Sequence, residues 1–197
     1  MKNIKSMRSH YYRFLQFPFE FFNQEDLSNE MSKDLDLSKN KHWDKLVDIF
    51  NLDTHKLFSK FDYKIINAEL FYTAPLGDLV WHIDMNPPED FMKINFVWGA
   101  SSHLMLWGEL KDPTKIYQTS NTEVASQYIR LADYDVVFKE SATINQPVMV
   151  NVGRPHKILN RDSVGRWCLS MIITHQNRRI LFKDAINTLN EYAADAQ

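Results

Sequence analysis

The sequence has little cysteine, glycine and proline, and neither sign of charge dominates. Its 197 residues include 1 Cys, 5 Gly and 7 Pro. A lone cysteine, Cys168, excludes a scaffold held by intrachain disulfides, and we expect a reducing compartment, the cytoplasm. The low glycine and proline content excludes collagen-like and low-complexity chains. A formal charge of -2 gives no indication of a nucleic acid or an anionic membrane as partner.

Long apolar runs are also missing. No stretch approaches the roughly 20 apolar residues of a membrane span, and the N-terminal segment has neither an apolar core nor a small-residue cleavage site. The 44% of hydrophobic residues and 13% of aromatic residues suit a globular core. We therefore expect one domain over residues 1–197, and nothing in the sequence indicates its oligomeric state.

The spacing of apolar residues predicts a mainly β protein with helices at both ends. Residues 1–60 are predicted to be a helical cover, with helical spacing over 41–58, and residues 179–197 a C-terminal helix. Seven strands are predicted between them, at 67–72, 79–84, 91–98, 103–110, 134–138, 148–152 and 166–174. A capping box at Ser120 predicts a short helix to about Leu131. Short strands at this spacing favour a sandwich, barrel or jelly roll over a parallel α/β sheet.

The pattern His-x-Asp occurs twice, so the motif alone is weak. His42 and Asp44 fall in the predicted helix, where residues two apart diverge, and we expect them to be surface polar residues. His82 and Asp84 end a predicted strand, where residues two apart share one side. Their side chains can therefore converge on one metal ion, although a hydrogen-bonded surface pair at a turn is the simpler alternative.

An imidazole and a carboxylate are two of the three ligands in the two-histidine, one-carboxylate site of non-haem iron enzymes. His103, His156 and His175 are candidates for the second histidine, and we prefer His156 because it follows a predicted strand through a Gly-Arg-Pro turn. Arg166 comes ten residues later, at the start of the last predicted core strand. An inward-facing arginine near a metal can bind a carboxylate through two hydrogen bonds. A surface salt bridge with Asp162 or Glu140 is the alternative for Arg166.

These residues resemble the Fe(II)/2-oxoglutarate-dependent oxygenase superfamily, whose fold is a double-stranded β-helix, a cupin-like jelly roll. The block from His156 through Asn160 to Arg166, with an apolar strand after it, is similar to the aspartyl/asparaginyl β-hydroxylase and proline hydroxylase group. The resemblance covers residues 67–175. It implies that His82, Asp84 and His156 bind Fe(II).

The same resemblance implies roles for four further residues. Arg166 would bind the distal carboxylate of 2-oxoglutarate, and Ser170, Lys93 and Asn95 would contact that cosubstrate. The family often has Ser two residues after the arginine, where this chain has Cys168, which we interpret as a core residue.

The activity implied is dioxygen-dependent hydroxylation of an amino acid, a peptide or another small molecule, with release of succinate and carbon dioxide. Two alternatives stay open. One is a nucleobase-directed oxygenase, against which the near-neutral charge argues. The other is a non-catalytic cupin-like module that binds a metal or ligand.

Overall fold

The computed structural model describes residues 9–33, 35–84, 89–121 and 127–194, which form two antiparallel sheets and three α-helices. The strands are β1 (Tyr12–Phe14), β2 (Lys41–Trp43), β3 (Tyr63–Thr73), β4 (His82–Ile83), β5 (Met92–Gly99), β6 (His103–Leu110), β7 (Thr119–Asn121), β8 (Gln127–Arg130), β9 (Val136–Ala142), β10 (Val148–Asn151), β11 (His156–Asn160), β12 (Arg166–His175) and β13 (Arg178–Arg179). The helices are α1 (Gln24–Ser32), α2 (Leu52–Ser59) and α3 (Phe182–Thr188).

The strands from β3 to β6 and from β9 to β12 alternate between the two sheets. The larger sheet has the order β1-β10-β5-β12-β3-β2, with β13 added beside β12, and the smaller has the order β7-β8-β4-β11-β6-β9. Every pairing within both sheets is antiparallel. Two facing antiparallel sheets joined in this way are a jelly roll. The predicted fold class is therefore confirmed.

Strand β12 lies at the centre of the larger sheet, between β5 and β3, and its first nine residues are buried. Because successive side chains point to opposite faces, the strand separates two environments. Trp167, Leu169 and Met171 pack in the core under the helices. Arg166, Cys168 and Ser170 line a cavity between the sheets. The alternation predicted from the sequence is confirmed.

The apolar residues form one core outside the larger sheet, another between the sheets and a smaller cluster around Ile83 and Ile129 of the smaller sheet. In the outer core, Phe22 of the N-terminal segment and Phe58 of α2 pack against the sheet. In the inner core, Val97 of the larger sheet belongs to the same cluster as Met105 and Trp107 of the smaller. The inner core fills part of the space between the sheets, and the cavity occupies another part.

The prediction of an all-helical cover over residues 1–60 is wrong in two places. Residues 12–14 and 41–43 are strands that pair with β10 and β3. Helix α1 begins after Asn23 and α2 after Asn51, and each asparagine side chain accepts a hydrogen bond from a backbone N–H in the first turn. The predicted helix over 41–58 is therefore only α2 and a preceding 3-10 turn at Val47–Ile49, because residues 41–43 pair with β3 as a strand.

The other helix predictions are confirmed only in part. Residues 119–121 and 127–130 are paired strands, so the helix predicted from Ser120 is wrong there, while residues 122–126 lie outside the described part of the chain. The C-terminal segment has a short strand, α3 and a 3-10 turn at Asn190–Tyr192. None of the helices in the described ranges is long and apolar enough to span a membrane. The assignment of residues 1–197 to one domain stays a prediction.

Candidate metal centre

The structure brings His82, Asp84 and His156 together in the smaller sheet. His82 in β4 and His156 in β11 are direct partners in the antiparallel pairing of these strands, and their ring centroids are 4.2 Å apart. The Nε2 atoms of both rings lie 3.5 Å from Oδ1 of Asp84. One ligand atom from each residue lies within 4.8 Å of the others. This compact group of two nitrogens and one oxygen can hold a divalent metal ion.

Backbone carbonyls orient both histidine rings in the same way. Nδ1 of His82 lies 2.8 Å from the carbonyl oxygen of Val80, and Nδ1 of His156 lies 2.8 Å from that of Arg154. A carbonyl can only accept, so each Nδ1 carries a proton, and in the neutral ring Nε2 then presents its lone pair to the group. This arrangement is the usual support of metal-binding histidines. The residues therefore fit a resident metal ion.

The turn between β10 and β11 positions His156. Gly153 is buried there, and a Cβ atom added to it would lie 1.5 Å from the carbonyl oxygen of Glu89. Arg154 next to it makes two hydrogen bonds to the carboxylate of Asp90, at 2.6 and 2.8 Å. The backbone N–H of Asp84 donates to the carbonyl oxygen of Val152 at 3.1 Å, which joins the Asp84 backbone to the end of β10.

A buried lysine holds the other oxygen of the aspartate. Nζ of Lys93 lies 2.7 Å from Oδ2 of Asp84 and 2.5 Å from Oε2 of Glu69. The Lys93 and Glu69 side chains are 7% and 5% exposed, so this cation is removed from water together with its two anions. Because Lys93 occupies Oδ2, Oδ1 is left as the oxygen that faces both histidine rings.

The pKa values of His156 and Asp84 suit metal binding at neutral pH. Burial, together with the neighbouring His82, lowers the pKa of His156 to about 4, so its imidazole is neutral. Burial alone would raise the pKa of Asp84, but Lys93 and the two histidines outweigh it and hold that pKa below its usual range. Burial likewise opposes the charge of Lys93, but Asp84 and Glu69 keep its pKa above the ordinary value. A neutral imidazole and an ionised carboxylate are the forms that bind metals.

The group faces a cavity of about 510 Å³ between the sheets. This volume is within the range of roughly 300–1,000 Å³ that is typical of small-molecule sites. Apolar side chains that include Leu79, Met105 and Ile158 form part of its wall.

Arg166 lines the same cavity and is 1% exposed. Its Nε and Nη2 atoms have no hydrogen-bond partner in the described part of the chain. Burial lowers its pKa, and the Cys168 side chain only partly offsets that effect. Asp162 instead accepts hydrogen bonds from Ser101 and Ser102. No carboxylate among the described residues forms an ion pair with Arg166, so the alternative of a surface salt bridge with Asp162 or Glu140 is wrong.

The remaining predicted cosubstrate residues also line the cavity. Ser170 donates a hydrogen bond of 2.7 Å to Oδ1 of Asn95, and both residues are buried. Lys93 already holds two carboxylates, which leaves one of its three N–H donors for another group. The contact of Lys93, Asn95 and Ser170 with 2-oxoglutarate stays a prediction.

The expectation for His42 is wrong. It lies in strand β2, stacks on Phe71 at 4.3 Å and lines the cavity, with Nε2 3.8 Å from Oε1 of Glu69. The pairing of β2 with β3 turns the His42 side chain inward, whereas the predicted helix would have left it at the surface. Asp44 accepts a hydrogen bond from Asn67 and is not part of the ligand group.

His103 is not a metal ligand in this arrangement. Both of its ring nitrogens lie close to backbone carbonyl oxygens, Nδ1 at 3.0 Å from Ala100 and Nε2 at 2.9 Å from Ile144. His175 is exposed and lies beside Asp62. Burial raises the pKa of Cys168, which fits the interpretation of that residue as part of the core.

Among the cavity residues that the sequence interpretation overlooked, three are charged: Lys41, Glu69 and Arg179. One signal for Glu69 was available, since a charged residue interrupts an otherwise apolar run within a predicted strand. Arg179 had no such signal, because the short strand β13 was predicted as part of a helix.

Comparison with known proteins gives likeness of fold only. No protein-family model matches the sequence, and no curated protein matches it. An oxalate oxidase in complex with the substrate analogue glycolate aligns with 91% of this chain and 80% of its own, at 12% identity and a TM-score of 0.35. A cupin 2 domain-containing protein from Halorhodospira halophila aligns with 93% of this chain and 92% of its own, at 8% identity and a TM-score of 0.34. E. coli ycfD aligns with 95% of this chain, which spans 54% of that protein, at 10% identity and a TM-score of 0.42. Cupins are jelly rolls, but similarity this low does not indicate a reaction.

Proposed function

We propose that this protein is an Fe(II)/2-oxoglutarate-dependent oxygenase that hydroxylates a small molecule, an amino acid or a peptide. The observation that carries the proposal is Arg166, a fully buried guanidinium with two unpartnered donor atoms in the cavity that holds the His-Asp-His group. A buried cation without a counter-ion is costly, so the cavity calls for an anionic ligand at that point. A carboxylate suits a guanidinium best, because it accepts two parallel hydrogen bonds.

His82, Asp84 and His156 would hold the metal ion. Three side-chain ligands leave coordination positions open, which suits a cosubstrate that binds through two oxygens together with dioxygen. When bound, a ferrous ion would supply the electrons that activate dioxygen. Overall, one oxygen atom of dioxygen enters the substrate as a hydroxyl and the other enters succinate, while 2-oxoglutarate loses carbon dioxide.

The chain's own residues bind and orient the reactants. Arg166 binds the distal carboxylate of 2-oxoglutarate, so that the 2-oxo acid end faces the ligand group. Lys93 fixes the Asp84 carboxylate with one oxygen toward the two rings. The carbonyls of Val80 and Arg154 fix the ring tautomers. The apolar wall of the cavity limits water at the reacting centre.

The test is calorimetric titration of 2-oxoglutarate into the metal-loaded protein under anaerobic conditions. Arg166→Lys keeps the charge but loses the two-pronged geometry, so we expect binding weaker by about 1.5 to 3 kcal/mol, or roughly tenfold to 150-fold. Arg161→Lys is the control, because Arg161 lies in the connection between β11 and β12, five residues before Arg166, and is exposed. Equal affinities of wild type and Arg166→Lys would contradict the proposal.

A second measurement tests turnover. Substrate-stimulated formation of succinate from 2-oxoglutarate, screened with amino acids and peptides under air with Fe(II), is the expected result. A protein that binds the metal but not 2-oxoglutarate would instead be a cupin-like binding module. Salt-dependent binding of single-stranded nucleic acid would indicate a nucleobase-directed enzyme.

A further inference from the structure

In the described part of the chain, the buried polar atoms that lack a hydrogen-bond partner are concentrated in one place. Five buried side-chain atoms of the described residues have no hydrogen-bond partner, and four of them belong to residues that line the cavity: His42 Nε2, Arg166 Nε, Arg166 Nη2 and Arg179 Nη1. The fifth, Trp107 Nε1, lies in the inner core. Buried polar atoms in folded proteins are nearly always paired, so this set indicates ligands that carry acceptor atoms.

The charges of the cavity point in the same direction. Its described lining residues include four cations, Lys41, Lys93, Arg166 and Arg179, but only two anions, Glu69 and Asp84. Both carboxylates contact Lys93. Arg166 and Arg179 form no ion pair in the described part of the chain, so the cavity has an excess of positive charge at two separate arginines.

The two arginines lie near opposite ends of β12. Arg166 is the first residue of β12, and Arg179 in β13 pairs with Thr174 near the other end of β12. At about 3.3 Å per residue, the eight steps from Arg166 to Thr174 along the strand span roughly 26 Å. Lys93, which holds Asp84, is next to Ile94, and Ile94 pairs with Met171 between these two positions.

Strand β13 turns only the second of its two arginines toward the cavity. Arg178 is exposed, while Arg179 is half-buried and lines the cavity with its Nη1 atom buried. Neighbouring residues of a strand face opposite ways, which accounts for the difference. Arg178 is therefore a matched control for any test of Arg179.

We propose that Arg179 binds the carboxylate of the substrate, and that the substrates are small carboxylic acids, free amino acids among them. The inference rests on the proposed function in one respect, the assignment of Arg166 to the cosubstrate. With Arg166 occupied by 2-oxoglutarate on one side of the ligand group, Arg179 anchors a second anion on the other side. The rest of that molecule then lies across the ligand group, between the two arginines.

The experiment measures binding without turnover. Mn(II) replaces Fe(II), and the protein is saturated with 2-oxoglutarate. Each acid titration described below is also repeated on the metal-free protein. The probes are the proteinogenic L-amino acids and short straight-chain carboxylic acids, screened by thermal shift. Each acid that binds is then titrated by calorimetry, together with the analogue that lacks only its carboxylate.

We expect at least one acid to bind, and its analogue without the carboxylate to bind at least tenfold more weakly. Arg179→Gln should lower the affinity for that acid at least tenfold. Arg178→Gln should change that affinity less than twofold, and Arg179→Gln should change the affinity for 2-oxoglutarate less than twofold. If Arg179→Gln does not fold, Arg179→Lys replaces it, and a severalfold loss is expected because the two-pronged geometry is lost.

Three results would overturn the inference: no acid binds, Arg179→Gln binds the acid as wild type does, or Arg179→Gln removes 2-oxoglutarate binding. Failure of the proposed function is recognised separately, because it leaves the 2-oxoglutarate titration insensitive to Arg166→Lys. The acid titrations without metal do not depend on that result.

Discussion

Replacement of Lys93 by Met tests the buried charge network that holds Asp84. The change removes the cation but keeps a side chain of similar length, and it leaves the carboxylates of Asp84 and Glu69 without the ammonium group they share. The side chains of Lys93, Asp84 and Glu69 are only 7%, 17% and 5% exposed, so water replaces little of the lost interaction. The metal-free protein should therefore become less stable.

The magnitude follows from the distances. At an effective dielectric constant of about 20, charges 2.7 Å apart attract by roughly 6 kcal/mol, and desolvation of the ammonium cancels much of this. Loss of one partner of a buried ion pair costs about 3–5 kcal/mol. For a chain of this length that corresponds to a melting temperature lower by roughly 6–20 °C.

The assay is chemical denaturation of the metal-free wild type, Lys93→Met, Glu69→Gln and the double variant. We expect the free energy of unfolding to fall less in the double variant than the sum of the decreases in the two single variants, because each mutation removes the partner that the other leaves unpaired. Lys139→Met is the control, since Lys139 pairs with Glu109 at 3.3 Å but both side chains are more than 40% exposed. That pair should contribute about 1 kcal/mol or less. If Lys93→Met lowers the free energy of unfolding no more than Lys139→Met does, the reasoning is refuted.

Three further predictions concern the elements around the site. His156→Ala should abolish calorimetric Mn(II) binding, whereas His103→Ala should keep it, because both ring nitrogens of His103 lie against backbone carbonyls; retained binding in His156→Ala would contradict the assignment. Gly153→Ala should lower the free energy of unfolding, measured by chemical denaturation, by about 1–3 kcal/mol and should weaken metal binding. The added Cβ would overlap the Glu89 carbonyl and displace the turn before His156. A free energy of unfolding equal to that of wild type would contradict this prediction. Hydrogen bonds from Ser101 and Ser102 lower the pKa of Asp162 from 3.8 to about 2, so its ionised form stabilises the fold above pH 4 and this contribution is lost as the pH falls toward 2. Asp162→Asn should therefore be less stable than wild type at pH 7, and the difference should shrink toward pH 2; a difference that does not change with pH would exclude this role.

The fold and the ligand group could be predicted because both depend on short-range patterns. Apolar residues at strand spacing indicated the β core, and the i, i+2 spacing of His82 and Asp84 places both side chains on one side of a strand end. Arg166 could be predicted to face inward for the same reason, from the alternation along one long strand. The identity of the second histidine depended on its place after a strand and a turn.

Only the tertiary structure decided the surroundings of that group. His42 faces the cavity because β2 pairs with β3, and a pairing between strands about 20 residues apart leaves no trace in local spacing. The contacts of Lys93 with Asp84 and Glu69 join residues from three separate parts of the chain. Arg179 reaches the cavity through a two-residue strand that is too short to show any periodicity. Strand periodicity is encoded residue by residue, whereas the charges that meet across a cavity depend on how the sheets pair and pack.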